Sequence, residues 1–168
     1  RFLELECPPS FYKEMLDYAH EKKVQFICSP FGLQSLKELL EIKPDAVKIA
    51  SPELNHFPLL QALRDFRNEQ KKDGEAPVPV ILSSGVSKME DIEDALSILG
   101  KDNVSLLHCI TSYPAPEDEY NLRILETFKE KFGIEVGVSD HSLDPILVPV
   151  LSVCAGGSII EKHITLSP

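Results

Sequence analysis

Short apolar runs alternate along this chain with longer segments whose apolar residues recur every three or four positions. Six of the short runs read as strands: residues 24–28, 46–49, 78–82, 104–108, 134–138 and 158–160. The segments between them predict helices. Residues 8–23 place Phe11, Met15, Leu16 and Ala19 on one face, with Ser10 as the expected N-cap. Residues 33–42 bring Leu36, Leu39 and Leu40 together, and residues 56–68 bring Leu59, Leu60, Leu63 and Phe66. Helices over 88–99 and 121–132 end at Gly100 and Gly133, and one over 145–154 ends at Ala155-Gly156-Gly157. The polar stretch 71–77 and the proline-rich stretch 111–119 read as surface loops.

The strands are short, continuously apolar and of a character buried on both faces. That pattern predicts a parallel sheet with helical crossovers, an α/β fold. Every strand runs into small or polar residues: Cys28-Ser29, Lys48 and Ser51, Ser83-Ser84, His108 and Thr111, Ser139 and His141, Glu161 and His163. An open doubly wound sheet binds its ligand at one switch point, which would leave most of these strand ends without chemistry. A TIM (β/α)₈ barrel uses the ends of all its strands. Such a barrel takes about 250 residues and eight strands. Six strands in 168 residues therefore predict a partial barrel that lacks the first two strands, with the whole chain as one partial domain.

Net charge narrows the partners. At −10 with no basic cluster, the chain is unsuited to nucleic acid or anionic membrane, and an anionic ligand needs a local pocket. No apolar run reaches membrane-spanning length. Cys7, Cys28, Cys109 and Cys154 show no Cys-x-x-Cys spacing, which predicts free thiols in a reducing cytoplasm. The chain starts at Arg1, directly before an apolar-alternating stretch, so it is expected to begin inside a larger protein.

Two histidines carry the chemistry that first suggests a function. His141 follows one predicted strand and His163 the next, each within two residues of an acidic side chain. Parallel neighbours joined by a helix point the same way, so both imidazoles arrive at one sheet edge. There they could share a divalent metal and leave coordination positions for substrate, or each could be a polar strand end meeting water. Lys48 closes an apolar strand beside Ser51 and reads as a phosphate or carboxylate clamp, or else as a lysine reaching solvent at the rim. Ser83-Ser84-Gly85 turns into a helix and offers an oxyanion site; Ser29 and Ser139 repeat the pattern. No dinucleotide fingerprint, P-loop or nucleophile elbow is present.

Seven segments in order sharpen this reading: Lys48 to Glu53, Ile81 to Gly85, Leu107 to Cys109, Tyr113 to Pro116, Asn121-Leu122, Gly137 to His141, and Glu161 to His163. From about Phe26 to its end, the chain resembles the catalytic barrel of the N-acetylneuraminate (sialic acid) synthase family, which includes pseudaminic and legionaminic acid synthases and spore-coat polysaccharide relatives. The resemblance implies condensation of phosphoenolpyruvate with an N-acylated amino sugar, such as N-acetylmannosamine, to a sialic-type acid with release of phosphate. It implies a divalent metal, manganese first with magnesium or cobalt as alternatives, held by His141 and His163. It assigns Lys48, Ser51, Ser83 and Ser139 to phosphoenolpyruvate. Ser29 stands where the family commonly has threonine. Tyr113 resembles a sugar-contacting tyrosine, with Thr111 nearby, and Glu53 and Glu161 resemble buried supporting or substrate-facing carboxylates; Glu53, Tyr113 and Glu161 are the catalytic candidates.

The same resemblance implies a homodimer whose C-terminal antifreeze-like domain completes the partner's site. That domain, a glutamate from the first two strands and an aspartate after the last strand are not in this sequence. The isolated chain is therefore expected to be inactive and to associate through its first and last strands. The alternatives are a metal-dependent aldolase or lyase of a sugar phosphate on the same barrel, and a non-catalytic barrel module that binds a partner.

Overall fold

The computed structural model of the chain describes residues 7–166; the expectation drawn from Arg1 and its neighbours lies outside them. Six strands alternate with helices: α1 Pro9–Glu21, β1 Ile27–Cys28, α2 Leu33–Glu41, β2 Ala46–Ile49, α3 Phe57–Lys72, β3 Val80–Ser83 and α4 Met89–Leu99. The order continues with β4 Val104–Cys109, α5 Ile124–Phe132, β5 Glu135–Asp140, α6 Leu147–Cys154 and β6 Ile159–Lys162. Every neighbouring pair is parallel, and the sheet order is simply β1 to β6. A doubly wound sheet would reverse its order at a switch point; this one does not. Right-handed crossovers that always step in one direction put every helix on one face and curl the sheet into half of a barrel. Among the described residues β1 and β6 are its two edges.

The register separates two faces. On the helix side Val47, Ile49, Val80, Leu82, Leu106 and Val136 are buried and meet Leu59, Leu60, Leu63, Leu96, Leu125 and Phe128 in one apolar core. The opposite face is built in rows, as barrel interiors are. Lys48 lies beside Ile81 and Ile81 beside Ser105; Cys109 lies beside Ser139 and Ser139 beside Glu161. Burial on both faces holds for the central strands. At the edges it fails, because Ile27 is 44% and Ile160 42% exposed.

Arg67 ties this core together at the far end of the barrel. The residue is 3% exposed. It donates to the carbonyls of Val78 at 3.1 Å, Leu99 at 2.9 Å and Asp102. One side chain on α3 thus satisfies the chain entering β3, the end of α4 and the turn before β4. Burial pushes its pKa down, with the Asp102 charge opposing that. Arg67→Met is expected to lower stability by roughly 2–4 kcal/mol, because the carbonyls lose their donors; urea unfolding measures it.

Some element ends differ from expectation. Pro8 and not Ser10 caps α1, and Pro9 opens it at a position where a missing N–H costs nothing. β1 has two residues, not five. α3 continues through Lys72, into the predicted loop. α5 starts at Ile124 after Asn121 adopts a positive φ, and α6 starts at Leu147. β5 and β6 run on through Asp140 and Lys162, so these polar residues lie within strands rather than after them.

Candidate active site

Parallel strands deliver all their C-terminal ends to one edge, and a cavity of about 410 Å³ opens there. Nine of the eleven residues singled out from sequence line it: Ser29, Lys48 and Ser51 from the first two strand ends, Thr111 and Tyr113 after β4, and Ser139, His141, Glu161 and His163 from the last two. Alternation explains part of the selection. Lys48, Ser139 and Glu161 line the cavity, while Ile49, next to Lys48, packs into the helix-side core; Asp140, next to Ser139, also reaches the cavity wall.

The two imidazoles share one space, with ring centroids 5.4 Å apart. His141 Nδ1 lies 2.9 Å from the carbonyl of Ile110. A carbonyl only accepts, so Nδ1 carries a proton, and in the neutral ring Nε2 then keeps its lone pair. Into that lone pair the Tyr113 hydroxyl donates at 2.9 Å, and the Tyr113 ring stacks on His141 at 4.0 Å. Burial pushes the Tyr113 phenol up, with Cys109 and Glu161 adding to it, so the phenol keeps its proton. This donor set fits a divalent metal: the Nδ1–H bond to a carbonyl orients the ring and fixes the tautomer a metal needs. Among the described residues no group of three or more His, Cys, Asp or Glu could hold a metal ion. A metal here would rest on the two histidines and leave its other positions to water, substrate or further residues.

Lys48 supplies the cation. Its Nζ lies 3.2 Å from Glu161 Oε2, across the cavity from β2 to β6. This is an ion pair and not a directed hydrogen bond, and Oε2 is buried without any hydrogen-bond partner. Ser51 Oγ accepts from the Gly85 amide at 3.0 Å. A Cβ at Gly85 would come within 2.7 Å of Ser51 Oγ, 3.0 Å of Thr111 Oγ1 and 3.1 Å of Cys109 Sγ, so only glycine lets these three side chains converge.

Two predicted residues do not line the cavity. Ser83 ends β3 at 1% exposure, and its hydroxyl has no hydrogen-bond partner. Glu53 sits in a one-turn 3₁₀ helix, Ser51–Glu53, which swings its carboxylate to His56 Nδ1 at 2.5 Å.

In the cavity wall lies a network that sequence reasoning missed. Asp140 is fully buried, and its Oδ1 accepts from the Tyr120 hydroxyl and the Ser142 amide, both at 2.8 Å. Its Oδ2 receives Lys162 Nζ at 2.6 Å. Burial alone would push the Asp140 carboxyl up; the Lys162, Ser142 and Tyr120 hydrogen bonds outweigh it and hold the group below the usual range. Burial also pushes the Tyr120 phenol well up, so it stays a donor. Cys109 lines the cavity too. Its place next to polar strand ends was the available signal.

Comparison with known proteins agrees with this architecture. Residues 2–168 match the NeuB family. The chain is 40% identical to an uncharacterized protein of Methanocaldococcus jannaschii, covering 98% of this chain and 47% of that one. It is 35% identical to the N,N'-diacetyllegionaminic acid synthase of Campylobacter jejuni, covering 97% of this chain and 47% of the enzyme. The crystal structure of N-acetylneuraminic acid synthetase from Leptospira borgpetersenii superposes with a TM-score of 0.85 at 35% identity, over 96% of this chain and 54% of that one. The chain thus spans about half the length of the curated relatives it matches. With that match running through nearly every residue, the chain belongs to the NeuB family.

Proposed function

We propose that the protein carrying this half-barrel condenses phosphoenolpyruvate with an N-acylated amino sugar, giving a nonulosonic acid and inorganic phosphate. One observation carries the reading. A lysine, several hydroxyls and two imidazoles with ring centroids 5.4 Å apart converge on one cavity at the C-terminal strand ends. The family and its named synthases support it.

In the proposed reaction the enol carbon of phosphoenolpyruvate attacks the aldehyde of the open-chain sugar. Water adds at the carbon that carries the phosphate and a proton passes to the new alkoxide; collapse to the ketone then expels phosphate by C–O cleavage. Lys48 holds the phosphate or carboxylate by charge, and Ser29, Ser51 and Ser139 donate hydroxyls around it. For that anion to bind, Glu161 must give up its contact with Lys48, which leaves the carboxylate to face the sugar. Tyr113, exposed at the mouth and still protonated, offers a flat face and one hydroxyl to the sugar. His141 and His163 would hold a divalent metal, manganese before magnesium or cobalt. When bound it supplies Lewis acidity toward the aldehyde oxygen. Ser83 joins the anion set in this reading if ligand brings a partner to its hydroxyl. Glu53, bonded to His56, supports the Ser51 turn rather than touching substrate.

The missing pieces of such a site are proposed to come from elsewhere in the longer protein: two further strands that close the barrel, and a partner subunit. The expected location is the cytoplasm. Lys48→Ala is expected to weaken phosphoenolpyruvate binding roughly 10- to 100-fold, the equivalent of about 1.5–3 kcal/mol for a charge-assisted contact. Isothermal titration checks this; unchanged affinity would remove Lys48 from the anion site. A sugar-phosphate aldolase on the same barrel would use the same cation but release no phosphate.

A further inference from the structure

We infer that the buried Asp140–Lys162 ion pair is a positioning device that sets the distance between the two histidines, an inference that rests on the proposed role of His141 and His163. Asp140 immediately precedes His141, and Lys162 immediately precedes His163. The two are direct cross-strand partners in the β5–β6 register. β6 has only four residues and none of them is fully buried, so apolar burial alone does little to fix its register against β5. A slip of one residue would turn every β6 side chain to the opposite face and carry Glu161 and His163 out of the cavity.

The pair is built to resist that slip. Asp140 is 1% exposed, so its charge fixes where the ammonium must be. Lys162 Nζ reaches Asp140 Oδ2 at 2.6 Å and the Ser142 carbonyl at 2.9 Å. On the other oxygen the Tyr120 hydroxyl donates at 2.8 Å and in turn accepts from the backbone N–H of His141 at 2.7 Å. One carboxylate therefore holds the backbone of the first histidine through Tyr120 and the strand of the second through Lys162.

A buried ion pair can be replaced by a neutral pair with little loss of stability, but the neutral pair no longer fixes where the two side chains meet. The Asp140→Asn/Lys162→Met double variant of the full chain separates these roles. The metal-free readout is the NMR cross-relaxation between the ring protons of His141 and His163. The second readout is binding of Mn²⁺ alone, followed by electron paramagnetic resonance. The double variant is expected to keep its melting temperature, lose the ring–ring signal and bind Mn²⁺ at least about 10-fold more weakly. Lys162→Arg, which keeps the charge, is expected to retain both. A folded double variant with wild-type ring contact would overturn the inference. Should the double variant not fold, Lys162→Gln carries the test: the ring–ring signal is expected to weaken, and a wild-type signal would overturn the inference. Wild-type chain that shows the ring contact but binds no Mn²⁺ would sink the metal reading and leave the positioning role standing.

Discussion

Replacing Gly137 by alanine is expected to destabilise the chain by about 3 kcal/mol or more and to detach β6. Gly137 sits in β5, paired with Ile159 at the start of β6. A Cβ built there would lie 1.9 Å from the Ile159 carbonyl oxygen, 2.7 Å from its carbonyl carbon and 3.0 Å from its Cα. All three are backbone atoms, so no rotamer change relieves the clash and the strand itself must move. Ordinary overpacking costs about 1–3 kcal/mol where side chains can shift; here they cannot. At roughly 2–4 °C per kcal/mol, the melting temperature should fall by at least about 6 °C. The loss reaches the site as well, because β6 carries Glu161 and His163. Hydrogen exchange would show β6 amides losing protection before those of β3 and β4. A melting temperature that stays within about 2 °C of wild type would mean that the close β5–β6 approach is not required.

His163→Ala should have the largest effect on ligand chemistry. Only two imidazoles among the described residues are placed for a divalent metal, so removing one leaves a single donor. Loss of a supporting contact already costs about 10- to 100-fold in metal affinity; loss of a ligand should exceed that and reach on the order of 100-fold or more. His141→Ala should match it. His20→Ala is the control, since His20, in α1, pairs with the partly exposed Asp45 away from the cavity. Titration of Mn²⁺ into the three variants checks the ranking. Equal affinities for His163→Ala and wild type would dismiss the two-histidine site.

The strand count, the strand order and the cavity edge were legible because apolar runs ending in polar residues follow directly from a sheet whose strands all point one way. The barrel could be preferred over the doubly wound sheet for the same reason. What the sequence did not disclose was the face each residue takes. Residues 78–82 are apolar throughout, and nothing local distinguishes Ile81, on the cavity side, from Leu82, in the helix-packed core. The local turn at Glu53 was not legible either: Ser51–Glu53 forms a short 3₁₀ helix that brings the Glu53 carboxylate to His56. The Asp140–Lys162 pair depends on the register between two strands, which sequence spacing does not reveal. Cys109 stands next to polar strand-end residues in the sequence, but only the pairing of β4 with β5 places it beside Ser139.

Release of inorganic phosphate reports the condensation without relying on any one residue assignment. The protein that contains this chain would be incubated with phosphoenolpyruvate, Mn²⁺ and, in turn, N-acetylmannosamine and the amino-sugar precursors of legionaminic and pseudaminic acids. Inorganic phosphate is expected to be released in step with one of these sugars, and none is expected when sugar is omitted. Phosphate that never appears with any N-acylated amino sugar, or that appears equally without one, would contradict the proposed condensation.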